Sequence, residues 1–398
     1  MERNIVSFLY LNQGGFLEPF KLVFNEQLVD AFALCISRCD DSFDVDGFKQ
    51  AIIPTLDKLE LKARSNLIAD SLHRFLPENS DEREGILFSI LHPDGHNNDS
   101  IISSEDGITG WGTLPMASLV GEYGVGDFSR SMNALKVMTG HFSSEFAIRF
   151  LILKDSEQAL SILLSWLTDQ DKHVRRLISE GTRPRLPWAM QLPEFIAKPE
   201  KILPLLLSLR DDQEEYVRRS VANNLNDIAK DHPDLVANIA VEWMHDVHEN
   251  RLDKTVTRNR ERLVRHACRT LIKQGHATAL SAFGLNAPKL ESSRLLLSSQ
   301  IVKFGDSLEF ELSLQSNSET QQKLVIDYVI HFKKANGKTS PKVFKGSKQT
   351  LPANGSLTIK RKHAIKAITT RTYYAGEHFI NLRVNGQDYP ECPFSLVI

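Results

Sequence analysis

The sequence predicts a multidomain protein in which an all-α repeat solenoid is followed by an all-β sandwich. Apolar residues recur at three and four positions from about residue 17 to residue 283, which is the helical period. A motif built around Val-Arg-Arg recurs inside this region, and near residue 290 the apolar period changes to two. With 398 residues the chain is also too long for one ordinary core, so more than one domain is expected.

The individual helices are predicted from apolar spacing and from their start and stop signals. The stretches "FNEQLVDAFALCISRC" and "LKARSNLIADSLHRFL" have helical spacing, and Pro77 ends the second. Pro233 stands in the first turn of a later helix, where its missing N–H is tolerated. Residues 90–130 are polar and rich in glycine, and we expect a loop there with one short helix at about 115–123.

The repeated motif predicts how the helices are arranged. "HVRRLISEG" (His173–Gly181) aligns with "YVRRSVANN" (Tyr216–Asn224) and more weakly with "LVRHACRTL" (Leu263–Leu271), at spacings of 43 and 47 residues. Repeats of about 40–47 residues made of helix pairs are typical of HEAT and armadillo solenoids. We therefore predict a HEAT-like repeat domain over residues 17–286.

The last part of the chain predicts an immunoglobulin-like sandwich over residues 290–398. Segments such as "KLVIDYVIHFKK" and "TYYAGEHFINLRVNG" alternate apolar and polar residues, and turn sequences such as "ANGK" and "PANGS" separate them. At the other end of the chain, residues 1–16 lack the long apolar stretch of a signal peptide. We interpret them as an unprocessed leader.

Composition excludes several classes of protein. No segment reaches the roughly 18 consecutive apolar residues of a membrane span, so no membrane partner is expected. No GxGxxG, phosphate-loop, Ser–His–Asp or HExxH pattern is present, and no cofactor or metal is expected. The cysteines lack zinc-site spacing and fit a reduced, cytoplasmic chain; they are Cys35, Cys39, Cys268 and Cys392.

The charges are unevenly distributed, although the formal net charge is only −2. Residues 26–110 are acidic, the middle of the chain carries arginine clusters, and the last hundred residues carry lysine runs such as "HFKKANGK". Such asymmetry favours a polyanionic partner for the basic parts. The Val-Arg-Arg arginines and the loop "EGTRPRLPWA" are candidate phosphate ligands, because guanidinium groups match phosphate oxygens bidentately. The alternative is that these arginines pair with aspartates and join neighbouring repeats.

Three segments of the helical region carry a family resemblance. "FSSEFAIRFLI", "HVRRLISEGTRPRLPWA" and "YVRRSVANNLNDIAKDHPD" closely resemble the DNA alkylation repair glycosylases of the AlkC/AlkD type, specifically the AlkC branch. The resemblance covers about residues 17–285. It implies a HEAT-like solenoid that removes cationic N-alkylated bases, such as 3-methyladenine, from duplex DNA. Some AlkC members also carry a C-terminal immunoglobulin-like domain, for which the resemblance favours a role as a second DNA clamp.

The resemblance also implies roles for individual residues. Glu122 stands where it places the catalytic carboxylate, and Trp166 and Trp188 are candidates for an aromatic cradle around the damaged nucleotide. The DNA backbone would be held by arginines, namely Arg149, Arg175, Arg176, Arg183, Arg185, Arg218 and Arg219. No cofactor is implied, and we expect a monomer. Asp127 is predicted to cap the next helix, and Asp171 and Asp212 either orient arginines or lie near the site. The rival hypothesis is a catalytically silent HEAT-repeat protein that only binds DNA or acts as a protein scaffold.

Overall fold

The computed structural model of the protein describes residues 9–11, 17–98, 100–124, 127–249, 252–369 and 371–398, with side chains from residue 20 onward. Backbone contacts divide the chain into two compact units, Met1–Asp227 and Ile228–Ile398. Most of the predicted leader lies outside the described residues. Within it, β1 (Leu9–Leu11) pairs antiparallel with β2 (Leu17–Pro19).

The first unit is helical beyond that hairpin. Its helices are α1 (Glu26–Ser37), α2 (Val45–Leu56), α3 (Leu61–Phe75), α4 (Ser80–Ser89), α5 (Thr113–Tyr123), α6 (Phe128–Met138), α7 (Ile148–Lys154), α8 (Ser156–Ser165), α9 (Lys172–Gly181), α10 (Pro193–Ala197), α11 (Leu203–Leu209) and α12 (Glu215–Ile228). Aspartate N-caps start several of them. Asp127 accepts a hydrogen bond from the Arg130 amide at the start of α6, and Asp171 accepts one from the His173 amide at the start of α9. Among the described residues, no helix is long and apolar enough to cross a membrane.

The first arginine of each Val-Arg-Arg motif has the same structural role in both repeats. Nη1 of Arg175 and Nη1 of Arg218 each donate to the two backbone carbonyls that lie six and five positions earlier. These carbonyls belong to Asp169 and Gln170 in the first repeat and to Asp212 and Gln213 in the second. The buried guanidinium therefore satisfies the turn that joins the two helices of a repeat.

The second unit contains the remaining helices and the sandwich. Its helices are α13 (Pro233–His248), α14 (Lys254–Ala267), α15 (Arg269–Gln274) and α16 (Ala277–Ser281). Its strands are β3 (Leu290–Leu297), β4 (Ile301–Lys303), β5 (Ser307–Ser316), β6 (Gln322–Lys333), β7 (Thr339–Leu351), β8 (Ser356–Ala364), β9 (Gly376–Val384), β10 (Gln387–Asp388) and β11 (Cys392–Val397).

Two sheets form the predicted sandwich. One has the order β4-β11-β9-β6-β7, with β10 paired to β9, and the other has the order β3-β5-β8. Burial alternates along β5 and β6, so that Leu308, Phe310 and Ile326 point into a common core. A close backbone contact joins the helices to the sandwich, because a Cβ on Gly275 would meet the Cα of Gly386 at 2.5 Å.

Candidate active site

A cavity of about 480 Å³ opens in the first unit beside the loop 182–190, which we call the arginine loop. This volume is large enough for a nucleotide-sized ligand. The lining is mainly aromatic and charged, and we call it the aromatic cavity. Its lining includes Trp111, His141, Phe142, Ser143, Glu145, Phe146, His173, Arg176, Glu180, Arg183, Trp188 and Tyr216.

Two carboxylates in the cavity wall are held by the same arginine. Nη1 of Arg176 pairs with Oε2 of Glu145, and its Nη2 lies 3.6 Å from Oε2 of Glu180. Ser143 Oγ donates to the same Glu145 oxygen at 2.7 Å. Burial opposes the charge of Arg176, but the neighbouring carboxylates of Glu145 and Glu180 outweigh it and raise the pKa of Arg176. The arginine therefore remains a fixed cation between two acids.

The network continues behind the cavity wall. Oε1 of Glu180 accepts from Arg183 Nη1, while Ser220 Oγ donates to its Oε2 at 2.6 Å. Arg183 in turn pairs with Asp227, with Nε and Oδ2 2.8 Å apart. Acids and arginines thus alternate in the order Glu145, Arg176, Glu180, Arg183, Asp227. Such a chain fixes each carboxylate by opposite charge and hydrogen bonding rather than by apolar packing.

Glu145 and Glu180, the two acids that line the cavity, differ in how many of their carboxylate oxygens accept a hydrogen bond. Both oxygens of Glu180 are engaged, since Arg183 binds one and Ser220 binds the other. The contacts of Glu145 all involve Oε2. Among the described residues, Oε1 of Glu145 therefore has no hydrogen-bond partner and can meet a ligand.

Exposed aromatic faces lie next to these acids. Trp188 is 53% exposed and Tyr216 is 41% exposed. The Arg176 guanidinium carbon lies 5.0 Å from the centre of the Tyr216 ring, and Trp111 packs on Phe142 with their ring centres 4.6 Å apart. Ring faces of this kind attract cations.

His141 adds a neutral polar group to the cavity wall. Burial, followed by the nearby His96 and His92, lowers the pKa of His141 to about 4. Its Nδ1 is buried without a hydrogen-bond partner among the described residues. The imidazole is therefore uncharged near neutral pH.

The structure brings only part of the predicted site together. Trp188, Arg176 and Arg183 line the aromatic cavity. Glu122 is exposed near the end of α5 and does not line it. Trp111 lines the cavity immediately before α5, whereas Glu122 lies in the last turn of that 11-residue helix. Trp166 is buried at the end of α8 under the Lys136 ammonium, 5.7 Å from the ring centre, and is not part of the lining.

The predicted backbone-binding arginines that do not contribute acid-paired side chains to the cavity lining fall into two groups. Arg149, Arg175 and Arg218 are buried and donate to backbone carbonyls, so in this structure they present almost no surface to a phosphate. Arg185 is half-buried on the arginine loop, and Arg219 is exposed on α12. Asp212 pairs with Arg175, so this aspartate orients an arginine.

Sequence reasoning missed Glu145, Glu180, Asp227 and Tyr216. One signal was available for Glu180. Val174, Leu177 and Ile178 define the buried face of α9, and Glu180, three positions after Leu177, has a side chain that is only 6% exposed. A carboxylate at a buried helical position requires a partner and is a marker of a polar site.

Comparisons with known proteins agree with this architecture. Residues 291–398 match the family model described as the C-terminal Ig-like domain of the uncharacterised protein YhaZ, and residues 202–232 match the HEAT repeat. The uncharacterized protein YhaZ of Bacillus subtilis (strain 168) is 33% identical over 373 residues, which cover 93% of this chain and 97% of YhaZ.

One solved structure is similar to this chain across both units. It is the Pseudomonas fluorescens alkylpurine DNA glycosylase AlkC bound to DNA containing an abasic site analog. The sequence identity is 33%, the TM-score is 0.76, and the match covers 95% of this chain and 99% of that one. This chain belongs to the AlkC family. Membership confirms the family and the fold class predicted from the sequence, in which a HEAT-like region precedes an immunoglobulin-like sandwich. For this AlkC family member the aromatic cavity is the candidate active site.

Proposed function

We propose that the protein is a DNA glycosylase that removes cationic N-alkylated bases, such as 3-methyladenine, from duplex DNA as a monomer. The observation that carries the proposal is the aromatic cavity, which both Glu145 and Trp188 line. The chain that contains it matches AlkC along nearly its whole length. The glycosylase activity and the bound DNA are those of the Pseudomonas fluorescens protein. The geometry of this chain supplies groups suited to the same chemistry.

The alkylated base leaves without needing to be protonated by the protein. Alkylation places a positive charge on the base and weakens its N-glycosidic bond. As that bond breaks, the base takes the bonding electron pair and leaves neutral, while positive charge develops on the sugar. Water then adds at C1′, and the proton that it loses passes to a carboxylate. A fixed anion near C1′ stabilises this transition state more than the ground state.

We assign the catalytic carboxylate to Glu145 and a positioning role to Glu180. Oε1 of Glu145 is available to the sugar or to water, while Oε2 is held by Arg176 and Ser143. Both oxygens of Glu180 are occupied, which suits a residue that fixes Arg176. Trp188 and Tyr216 then offer ring faces to the cationic nucleotide.

The DNA backbone requires exposed cations. In the helical unit the exposed Arg219 fits this role, and the half-buried Arg185 reaches solvent in part. In the sandwich, a basic concavity of about 540 Å³ is lined by the turn between β6 and β7 and by the segment around Arg371. Lys333, Lys334 and Lys342 line it as well, and we propose that it binds phosphate.

The test is release of free 3-methyladenine from methylated duplex DNA under single-turnover conditions. Wild type should release the base, and Glu145→Gln should lower the rate constant about a hundred-fold or more, as removal of a transition-state electrostatic group does. Glu122→Gln is the matched control and should retain the wild-type rate. If Glu122→Gln is inactive and Glu145→Gln is not, the assignment moves to Glu122. If wild type binds the duplex but releases nothing, the chain is a DNA-binding protein without this activity.

A further inference from the structure

The side chain of Arg149 lies at the centre of the arginine loop. It is 0% exposed, and its guanidinium donates to carbonyls at both ends of that loop. Nε donates to Met190 at 2.8 Å, and Nη1 donates to Gly181 at 2.9 Å and to Arg183 at 2.7 Å. One side chain thus holds together chain segments nine residues apart.

Holding a cation at the buried position of Arg149 costs desolvation free energy. Burial, and then the nearby charge of Arg183, lower the pKa of Arg149 to about 10, and no described carboxylate forms an ion pair with it. Nη2 is buried with no hydrogen-bond partner among the described residues. An apolar side chain would fill the space without this desolvation, so the guanidinium is explained by the loop conformation that its hydrogen bonds impose.

The loop conformation itself is strained at one residue. Trp188 has φ +66°, a left-handed value that costs a bulky residue about 1–3 kcal/mol unless the surroundings enforce it. The Lys62 ammonium, on the first turn of α3, donates to the Trp188 carbonyl. With Arg149 bonded to both ends of the loop and Lys62 bonded to the Trp188 carbonyl, the backbone holds the exposed indole in the lining of the aromatic cavity.

We propose that Arg149 is a positioning residue for the glycosylase reaction: it holds the arginine loop so that Trp188 faces the damaged nucleotide. The inference rests on the proposed function, because the effect of the Trp188 position is measured as the rate of base excision. It predicts that Arg149 acts on the reaction only through Trp188. A displacement of about 1 Å at a reacting group can reduce the rate about a hundred-fold, which sets the expected effect of loosening the loop.

A double-mutant cycle on the full chain tests this dependence. Arg149→Lys keeps the charge but cannot form three hydrogen bonds in one plane, and it should lower the single-turnover excision rate constant by about ten- to a hundred-fold. Adding Arg149→Lys to Trp188→Ala should give no further loss, since the two changes disable the same contact. If the double mutant instead shows the product of the two single-mutant losses in rate constant, the proposal is wrong. Arg175→Lys, another buried arginine, is the matched control and should combine multiplicatively with Trp188→Ala.

A spectroscopic measurement separates this proposal from the proposed function. Trp166 and Trp243 are buried and Trp111 is half-buried, so Trp188 dominates acrylamide quenching of the indole fluorescence. Subtracting the Trp188→Phe signal isolates it. Quenching of Trp188 should change in Arg149→Lys and should remain at the wild-type value in Arg175→Lys.

The outcomes can be told apart. If the wild-type protein excises no base, the proposed function is wrong. The change in quenching still reports whether Arg149 fixes the conformation of the arginine loop. Unchanged quenching in Arg149→Lys overturns the positioning role even if excision falls. If Arg149→Lys does not fold, Lys62→Met tests the same restraint at an exposed position, and wild-type quenching and excision in that variant would count against the proposal.

Discussion

The ion pair between Arg175 and Asp212 joins two neighbouring repeats and can be broken by one substitution. Nε lies 2.7 Å from Oδ2 and Nη2 lies 3.0 Å from Oδ1, and the two side chains are 7% and 5% exposed. Arg175→Met leaves Asp212 buried without this partner. Removing one member of a buried ion pair costs about 3–5 kcal/mol, so we expect the unfolding free energy to fall by that amount.

The same substitution separates a structural arginine from a phosphate ligand. Each lost phosphate contact reduces the slope of log K against log salt by about 0.9. Because Arg175 is buried, Arg175→Met should leave the slope unchanged, whereas Arg185→Met should reduce it by about one contact and leave stability nearly unaltered. Denaturant unfolding and fluorescence anisotropy of labelled duplex at several salt concentrations measure both quantities. A slope reduced by about one in Arg175→Met, with an unchanged unfolding midpoint, would refute the reasoning.

Three further predictions follow from particular contacts. Asp227→Asn removes the anionic partner of Arg183; it should lower the unfolding midpoint in denaturant and also slow excision, and an unaltered midpoint would contradict the network. Trp188→Ala should slow single-turnover excision while the melting temperature holds, because the indole is exposed; a large loss of melting temperature would instead mean that it is core. Burial, and then the charge of Arg371, lower the pKa of His363 from 6.5 to about 4. The unfolded chain therefore binds this proton first as the pH falls, so its contribution to stability is complete above pH 6.5 and is lost progressively as the pH falls towards about 4. His363→Phe should flatten that part of the plot of melting temperature against pH, and an unchanged slope would exclude His363 as its source.

The fold could be predicted because the spacing of apolar residues along the chain indicates the type of each element. The helical and strand periods, together with the 43-residue spacing of the Val-Arg-Arg motifs, suffice for a solenoid and a sandwich. The start of α6 could also be predicted, since Asp127 is a capping residue that acts on its nearest amides.

The roles of the arginines could not be predicted from the same pattern. Helical spacing puts Arg175 beside the apolar face of α9, but its partner Asp212 is 37 residues away in the next repeat. Whether that side faces solvent or the next repeat depends on how repeats stack, which periodicity does not specify. Arg176 is one position further along and reaches the cavity instead.

The acids of the site were missed for a related reason. Glu145 lies in a short segment before α7 with no periodic signal, and its partner Arg176 is 31 residues away. The family resemblance predicts the catalytic carboxylate at Glu122, and the comparison of Glu122→Gln with Glu145→Gln decides between that untested prediction and the assignment to Glu145. The left-handed backbone of Trp188 also depends on tertiary contacts, from Arg149 and Lys62.

The central claim is that Glu145 stabilises positive charge on the sugar in the aromatic cavity. The direct measurement is the affinity of wild type and Glu145→Gln for two duplexes that lack the base, one with a cationic pyrrolidine in place of the sugar and one with a neutral tetrahydrofuran. Wild type should bind the cationic duplex at least about ten-fold more tightly, as expected for a transition-state mimic, and Glu145→Gln should lose that preference. An equal preference in wild type and Glu145→Gln would contradict the account.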